Sequence, residues 1–421
     1  MKKYKVVTLG CRTNQYESQA FADQLKKEGY IEAKEGDKAD LCIVNTCTVT
    51  KSADRRSLYQ IRKISREFSP EQLIVTGCLV ERSKKELERL EEVTHVVSNR
   101  KKENLLAEVF PAKKWPEFRI ERFEARTRAF VKIQDGCNSY CSYCVIPFVR
   151  GRSRSKKVFD ILEEIEALVE NGYKEVVLTG INIGDFDGNR SPPVRLSELV
   201  RRVDKIPGLE RIRISSIDPD EVDADLIDAV VNGEKTAPSM HLVLQSGSNL
   251  TLKRMGRKYT KQDFMGATTR LLKENPNFTF TTDIIVGFPG ETEEEFQETL
   301  AVMDTIRFAK VHMFPYSDRP KTRAARLPRK VPSGVIQERK NRLLRLAEKN
   351  AHALRQTFIG REFSVLLETE EKPGYLMGHT ENFLPVHVLK ENLRSNGFIK
   401  VKCVGNTAEG LIGEDQTHRK V

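Results

Sequence analysis

Along the first hundred residues, short apolar runs alternate with longer stretches in which apolar residues recur every three or four positions. The runs are 5–9, 41–44 and 73–75, and the helical spacings cover 15–28, 52–68 and 84–90. This βαβαβα order predicts a doubly wound parallel sheet. The functional crevice of such a sheet lies beyond the carboxyl ends of its strands. The three runs end at Gly10-Cys11, Asn45-Thr46-Cys47 and Thr76-Gly77-Cys78. Three separate strands therefore each deliver a cysteine to one edge, which is what a three-thiolate metal site requires.

Residues 101–127 are charged and carry Pro111 and Pro116, the pattern of a linker. Six strand patterns follow at 129–134, 175–179, 211–215, 240–244, 279–286 and 310–314, most of them succeeded by a helix. Polar or glycine residues close each one. Repeated βα units of this length predict a (β/α) barrel, here a partial one of six strands, with its chemistry on the loops after the strands. A helix pattern runs over 333–357. The chain then changes character. Short strand patterns at 362–368, 375–379, 386–389, 399–404 and 411–412 predict a small OB-like β-barrel, a common RNA-binding scaffold. The expected fold is α/β. Its parts are an N-terminal domain (1–110), a linker (111–127), a central barrel with its connecting helix (128–357) and a C-terminal β-barrel (358–421).

Composition narrows the class. In 421 residues, 39% are hydrophobic and 31% charged, as in a soluble globular protein rather than a disordered or membrane one. No stretch approaches the ~20 apolar residues of a membrane span. The apolar run behind Lys2 and Lys3 ends at Arg12, too short for a signal peptide, so a cytoplasmic location is expected. The net charge of +11 is concentrated. Residues 319–361 hold 13 Lys/Arg against 2 Asp/Glu, and the rest of the chain is neutral. A neutral body with one basic stripe looks like a polyanion footprint, or else a solvated helix face.

Eight cysteines in a reducing compartment read as metal ligands or catalysts rather than disulfides. Cys42 and Cys403 lie inside strand patterns and read as buried small hydrophobes. Cys137, Cys141 and Cys144 form CxxxCxxC directly after the first barrel strand. Three thiolates on one loop can hold three corners of a 4Fe–4S cubane and leave one iron open. The competing reading is a zinc site completed by His241 or His312.

CxxxCxxC after the first strand of a (β/α) barrel, with Tyr143 before the last cysteine, resembles the radical S-adenosylmethionine (AdoMet) superfamily. The three N-terminal cysteine strings, with Thr48-Val49-Thr50 behind Cys47, resemble the methylthiotransferases within it. So do the strings 150–155, 178–182, 244–248, 255–260, 282–292 and 314–317. The final β region is similar to that family's TRAM domain. Asn45-Thr46-Cys47-Thr48-Val49-Thr50 and Arg211–Ser216 look most like the branch acting on N6-threonylcarbamoyladenosine in tRNA. The isopentenyladenosine branch and the ribosomal-protein aspartate branch are the alternatives. The chain departs from the usual family pattern at Asp185-Phe186-Asp187-Gly188-Asn189 and at Arg319-Pro320-Lys321-Thr322.

The resemblance implies two 4Fe–4S clusters, one on Cys137, Cys141 and Cys144 and one on Cys11, Cys47 and Cys78. It implies cleavage of AdoMet to a radical that takes the hydrogen from C2 of the adenine, then transfer of a methylated sulfur from the second site. Tyr143 would pack near the AdoMet adenine. Thr179, Gly180, Asn182, Ser215, Gln245 and Val286, at strand ends, are the candidate AdoMet contacts. The partners implied are the tRNA anticodon stem-loop, an electron donor and a sulfur source, with no membrane. Arg150, Arg152 and Arg154, in a stretch without acidic residues, are candidate RNA contacts. A bidentate Arg150 or Arg152 would recognise the threonylcarbamoyl carboxylate.

Overall fold

The computed structural model describes residues 1–123, 127–372, 374–390 and 393–417. Parts of the expected linker (124–126) and of the expected C-terminal barrel (373, 391–392 and 418–421) lie outside the described residues. Among the described residues, no helix is long and apolar enough to cross a membrane.

Leu41–Thr46 and Gln72–Gly77 are the central strands of the N-terminal sheet, and every residue of the first is buried. Buried on both faces, they read as continuous apolar runs, as central parallel strands do. Lys3–Thr8 pairs with Leu41–Thr46, and two-residue strands, Ile31–Glu32 and His95–Val96, flank the set. All pairings are parallel. Two residues leave no periodicity, so the edge strands have no sequence signature. Helices Arg12–Lys27, Lys51–Phe68 and Cys78–Leu87 follow the three long strands. The third helix starts at Cys78, six residues before the expected 84. Gly77 explains this. Its φ of +98° turns the strand straight into the helix, and a Cβ there would stand 2.4 Å from Thr46 O.

Six parallel strands build the central sheet in sequence order: Arg128–Lys132, Glu175–Thr179, Arg211–Ile217, Thr236–Leu242, Thr279–Val286 and Lys310–Pro315. The first and last are not paired, so the barrel is partial, as expected. Helix Ser333–Gln356 then leads to a closed barrel of Glu362–Lys372, Tyr375–Thr380, Pro385–Leu389, Phe398–Asn406 and Leu411–Asp415. Among the described residues of this barrel, only Pro385–Leu389 and Leu411–Asp415 pair in parallel, the OB-like arrangement. Cys42 and Cys403 are wholly buried in apolar clusters, in keeping with a packing role.

The C-terminal barrel docks under the amino-terminal ends of the central strands. Arg213 donates to Thr380 O and Glu381 O, each at 2.9 Å, and Arg211 donates to Ser364 O at 3.0 Å. Both arginines and Arg128 surround the buried Glu175. Burial alone would raise that carboxyl, but Arg213, Arg128 and Arg211 outweigh it and hold Glu175 at about 2. The Arg211–Ser216 string thus carries a docking clamp on the face away from the cysteine loops. The connecting segment before the first barrel strand is irregular but not a free tether. Ile120 and Phe123 are buried, and Ile120 N–H donates to Glu164 Oε1 at 3.0 Å.

Candidate functional site: two cysteine triads on facing edges

Each N-terminal cysteine occupies a strand-to-helix turn. Cys11 caps helix Arg12–Lys27, Cys78 is the first residue of its helix, and Cys47 lies four residues before Lys51. Helix amino-terminal ends carry partial positive charge, which favours thiolates. The parallel sheet brings these ends together. A Cβ on Gly10 would stand 3.0 Å from Cys47 Sγ, so the loops of Cys11 and Cys47 touch. Cys47 is held by Ser57, which accepts from its N–H at 3.2 Å and donates to its carbonyl at 2.9 Å.

The second triad sits on the loop after the first barrel strand. A short antiparallel pair, Gln134–Asp135 with Arg154–Ser155, pinches the base of that loop. Cys137 N–H donates to Gly151 O at 3.2 Å, Cys144 N–H to Cys141 O at 3.1 Å, and Ser142 N–H to Met255 O at 2.7 Å. Gly136, at φ +73°, permits the closure, because a Cβ there would meet Arg152 O at 2.0 Å. Tyr143 packs edge-on against Phe288, with ring centroids 6.3 Å apart.

The two triads share a wall. Cys78 forms one buried cluster with Val145, which immediately follows Cys144, and with Val149, one helical turn further on. Further out, Lys51 N–H donates to Ser317 Oγ at 3.1 Å, and Arg319 donates to Thr48 Oγ1 at 3.1 Å and Asp54 Oδ2 at 2.7 Å. These bonds join the Cys47 loop to the end of the last barrel strand.

All eight cysteines are free. Burial pushes the Cys47 and Cys144 thiols up to about 12, with the neighbouring Cys78 and Cys141 adding to it. Burial also raises Cys78 and Cys137. Without a cation these thiols keep their protons at neutral pH, so a metal centre would have to displace them. The donor set, two groups of three thiols without a fourth, suits two 4Fe–4S clusters with an open iron each. His241 and His312 do not complete a zinc site. Their rings lie 5.8 Å apart in the barrel interior, and His241 Nδ1 is 2.8 Å from Thr281 Oγ1. Among the described residues, no three His, Cys, Asp or Glu side chains converge on one metal ion.

A cleft beside Cys144 is lined by Tyr143, Gln245, Ile285, Phe314 and Tyr316, with Val49 from the N-terminal domain. It unites two of the expected AdoMet contacts with an expected cluster ligand. Among the described residues, Gln245 Oε1 is buried without a hydrogen-bond partner, and so is Thr179 Oγ1 at the second strand's end. Buried orphans of this kind fit a polar cofactor. Gly180 and Asn182 pack on Gln134, whose Oε1 accepts from Asn182 N–H at 3.1 Å. Ser215 Oγ accepts from Arg12 at 3.2 Å, and Val286 is wholly buried.

The basic candidates divide. Arg150 does not face RNA, contrary to expectation, and it cannot read a substrate carboxylate. Its side chain is 0% exposed and donates to Asp135 Oδ1 at 2.7 Å, to Glu17 Oε1 at 3.2 Å and to Asn14 Oδ1. The apparent excess of basic residues in 150–157 is misleading in part, because the balancing acids come from other segments. Arg154 is half exposed but bonded to Asp135 Oδ2 at 2.6 Å, and Arg152 is exposed with its guanidinium 5.3 Å from the Tyr140 ring centre. In the 319–361 stripe, Arg319, Arg339 and Arg355 are buried and used internally. Arg319 pairs with Asp54, Arg339 with Glu291 at 2.9 Å, and Arg355 donates to Thr407 O. The stripe is therefore only partly a free polyanion footprint.

Some neighbours of the two triads were not singled out as site residues by the sequence. Arg257 donates to Cys141 Sγ at 3.1 Å and pairs with Asp218. Glu17 binds Lys102 at 2.6 Å as well as Arg150, with every partner side chain almost fully buried. Burial alone would raise Glu17, but Arg150, Lys102 and Lys132 outweigh it and hold its carboxyl far below the usual range.

Sequence comparisons agree with this geometry. The family model described as "Uncharacterized protein family UPF0004" matches residues 3–98, and that of the radical SAM superfamily matches 131–303. The chain is 44% identical to threonylcarbamoyladenosine tRNA methylthiotransferase MtaB of Chlamydia pneumoniae, over 98% of this chain and 97% of that one. It is 36% identical to the protein of the same name from Thermotoga maritima, over 98% and 96%. It is 34% identical to tRNA-2-methylthio-N(6)-dimethylallyladenosine synthase of Acetivibrio thermocellus, over 88% and 82%. Among solved structures, the radical AdoMet methyltransferase TsrM of Kitasatospora setae shares the fold, with a TM-score of 0.56 at 14% identity over 77% of each chain. With paired cysteine triads, a partial barrel and relatives aligned from end to end, the chain belongs to the radical AdoMet tRNA methylthiotransferases.

Proposed function

We propose that this chain attaches a methylthio group to C2 of N6-threonylcarbamoyladenosine beside the tRNA anticodon. The observation that carries this reading is the shared wall. Cys78 packs on the two valines that follow Cys144, so a centre that activates a C–H bond and a centre that supplies sulfur would both reach one substrate carbon. Cys137, Cys141 and Cys144 would hold the first 4Fe–4S cluster, and Cys11, Cys47 and Cys78 a second. Together with AdoMet they would supply the one-electron chemistry that a non-acidic C–H bond needs.

The remaining residues position these parts. Arg257 neutralises charge at Cys141. Tyr143 and Gln245 line the AdoMet cleft, with Thr179, Gly180, Asn182, Ser215 and Val286 shaping the strand ends around it. Arg152 is the exposed RNA contact beside the loop, and Arg154 braces Asp135. The working division is 1–110, 111–127, 128–357 and 358–421, with the last part an RNA-binding barrel. A cytoplasmic reductant and a sulfur source complete the system.

The test uses protein reconstituted anaerobically with iron and sulfide, then given AdoMet, a reductant and a sulfur source. Two tRNA pools are offered, one carrying threonylcarbamoyladenosine and one isopentenyladenosine, and nucleosides are read by mass spectrometry. A methylthio product in the first pool alone is expected. A product in the second alone overturns the substrate and keeps the chemistry. AdoMet cleavage with neither product points to a protein substrate.

A further inference from the structure

The helix that follows Cys47 carries a basic and aromatic stripe that neither the clusters nor the barrel uses. Helix Lys51–Phe68 buries Asp54, Ser57, Ile61, Ile64 and Phe68. Arg55, Tyr59, Arg62 and Arg66 fall at i, i+4, i+7 and i+11, one line along the opposite side. All four are exposed, Tyr59 by 58%. Among the described residues, Arg55 and Arg66 make no ion pair, and Arg62 has only a 3.9 Å approach to Glu92. Leu58, Ser65 and Glu92 join the stripe around a shallow concavity.

This differs from an ordinary solvated face. The neighbouring stripe of the same helix has an i,i+4 pair, Lys63 with Glu67 at 3.3 Å. Arg62 and Arg66 instead place like charges at i,i+4, which costs helix stability unless an anion neutralises them. The stripe spans about 16 Å, room for several successive phosphates. It is also anchored to the reaction centre. Its helix begins four residues after Cys47, Lys51 N–H donates to Ser317 Oγ at 3.1 Å, and its Asp54 holds the buried Arg319. Because several arginines of 319–361 are used internally, this helix offers free guanidinium groups close to the cysteines.

We propose that Arg55, Tyr59, Arg62 and Arg66 form a tRNA contact on the N-terminal domain. The arginines hold phosphates of the strand that leads away from the reacting nucleotide, and Tyr59 stacks on an unpaired base of that strand. The proposal rests on the tRNA reading above.

The experiment measures binding of full-length tRNA to the reconstituted full chain by fluorescence anisotropy, across a salt series. The variants are R55A/R62A/R66A, Y59A and Y59F. A control, R345A/K349A, removes two exposed charges from the long helix. The triple variant is expected to weaken binding by about tenfold or more near physiological salt, and to flatten the log Kd against log salt slope by about 2 to 3. Y59A is expected to lose about tenfold, with Y59F near wild type. Iron content and AdoMet cleavage without RNA should be unchanged. If the triple variant and Y59A bind tRNA as wild type does, the proposal is overturned and the stripe is left to a protein partner. Equal loss per charge in the control also overturns it, since the effect is then general charge. Wild-type protein that does not bind tRNA at all would instead overturn the tRNA reading.

Discussion

Arg150 and Glu17 meet at 3.2 Å, with the Arg150 side chain 0% and the Glu17 side chain 1% exposed. Glu17 belongs to the helix that starts after Cys11, and Arg150 follows the CxxxCxxC loop. The pair joins the two cysteine edges across the domain boundary. Asp135, Lys102 and Lys132 belong to the same buried network.

Replacing Arg150 by Ala leaves Glu17 and Asp135 buried with fewer cations. The expected loss is about 3–5 kcal/mol, the usual cost of breaking a buried pair. Trp115 is the one tryptophan, and its segment is tied to the same helix by Gln24 Nε2 donating to Pro116 O. Urea unfolding followed by Trp115 fluorescence checks the loss. A change below about 1 kcal/mol would show that the network does not hold the domains.

The two triads should load separately. Cys47→Ala is expected to remove about half of the iron and keep the rest, and Cys141→Ala to remove the other half. Iron analysis of each variant reads this. Complete iron loss from either single substitution would sink the two-site assignment.

Gly77→Ala should act on one site alone. The added Cβ meets Thr46 O at 2.4 Å on a backbone with φ +98°, so the turn that presents Cys78 must open. The expected result is loss of the iron bound by the N-terminal triad, with the iron of the barrel loop retained. Visible absorption and iron content of G77A measure it, and full loading would show the turn to be adaptable.

Acid should weaken the docking of the C-terminal barrel. Glu175, held at about 2, contributes stability above the ordinary carboxylate range. That contribution is lost as pH falls from about 4.5 to about 2. In Glu175→Gln it is absent at neutral pH, so thermal stability should be lower at pH 7 and should change less on acidification. Melting curves from pH 3 to 7 test this. Parallel acid limbs in the two proteins would place the sensitivity elsewhere.

Much of the architecture was legible because it rests on local patterning. The strand pattern 279–286 matches Thr279–Val286, and 175–179 matches Glu175–Thr179. Long buried strands leave continuous apolar runs, and turn residues mark their ends. The strands Ile31–Glu32 and His95–Val96 were not legible, since two residues have no period and pairing alone defines them. The start of the helix at Cys78 was hidden because Gly77 turns the strand straight into it, and because Ser83 kinks it before the stretch whose helical spacing is visible.

The candidate site divides the same way. The positions of the six expected ligands follow from cysteines at strand ends and from CxxxCxxC, because backbone topology alone sends each triad to the carboxyl edge of its own sheet. The arginines do not. Arg150 and Arg152 stand two positions apart in one basic run, yet one is enclosed by Glu17 and Asp135 and the other is exposed over Tyr140. By itself, the sequence determined the element order, the two thiol triads and the family. The tertiary structure decided which cations are neutralised, that Cys78 abuts the valines behind Cys144, and that Arg211 and Arg213 clamp a barrel. The physical reason is range: hydrophobic periodicity and turn chemistry act over a few residues, whereas a buried charge finds its partner far along the chain, as Arg319 does in Asp54, 265 positions away.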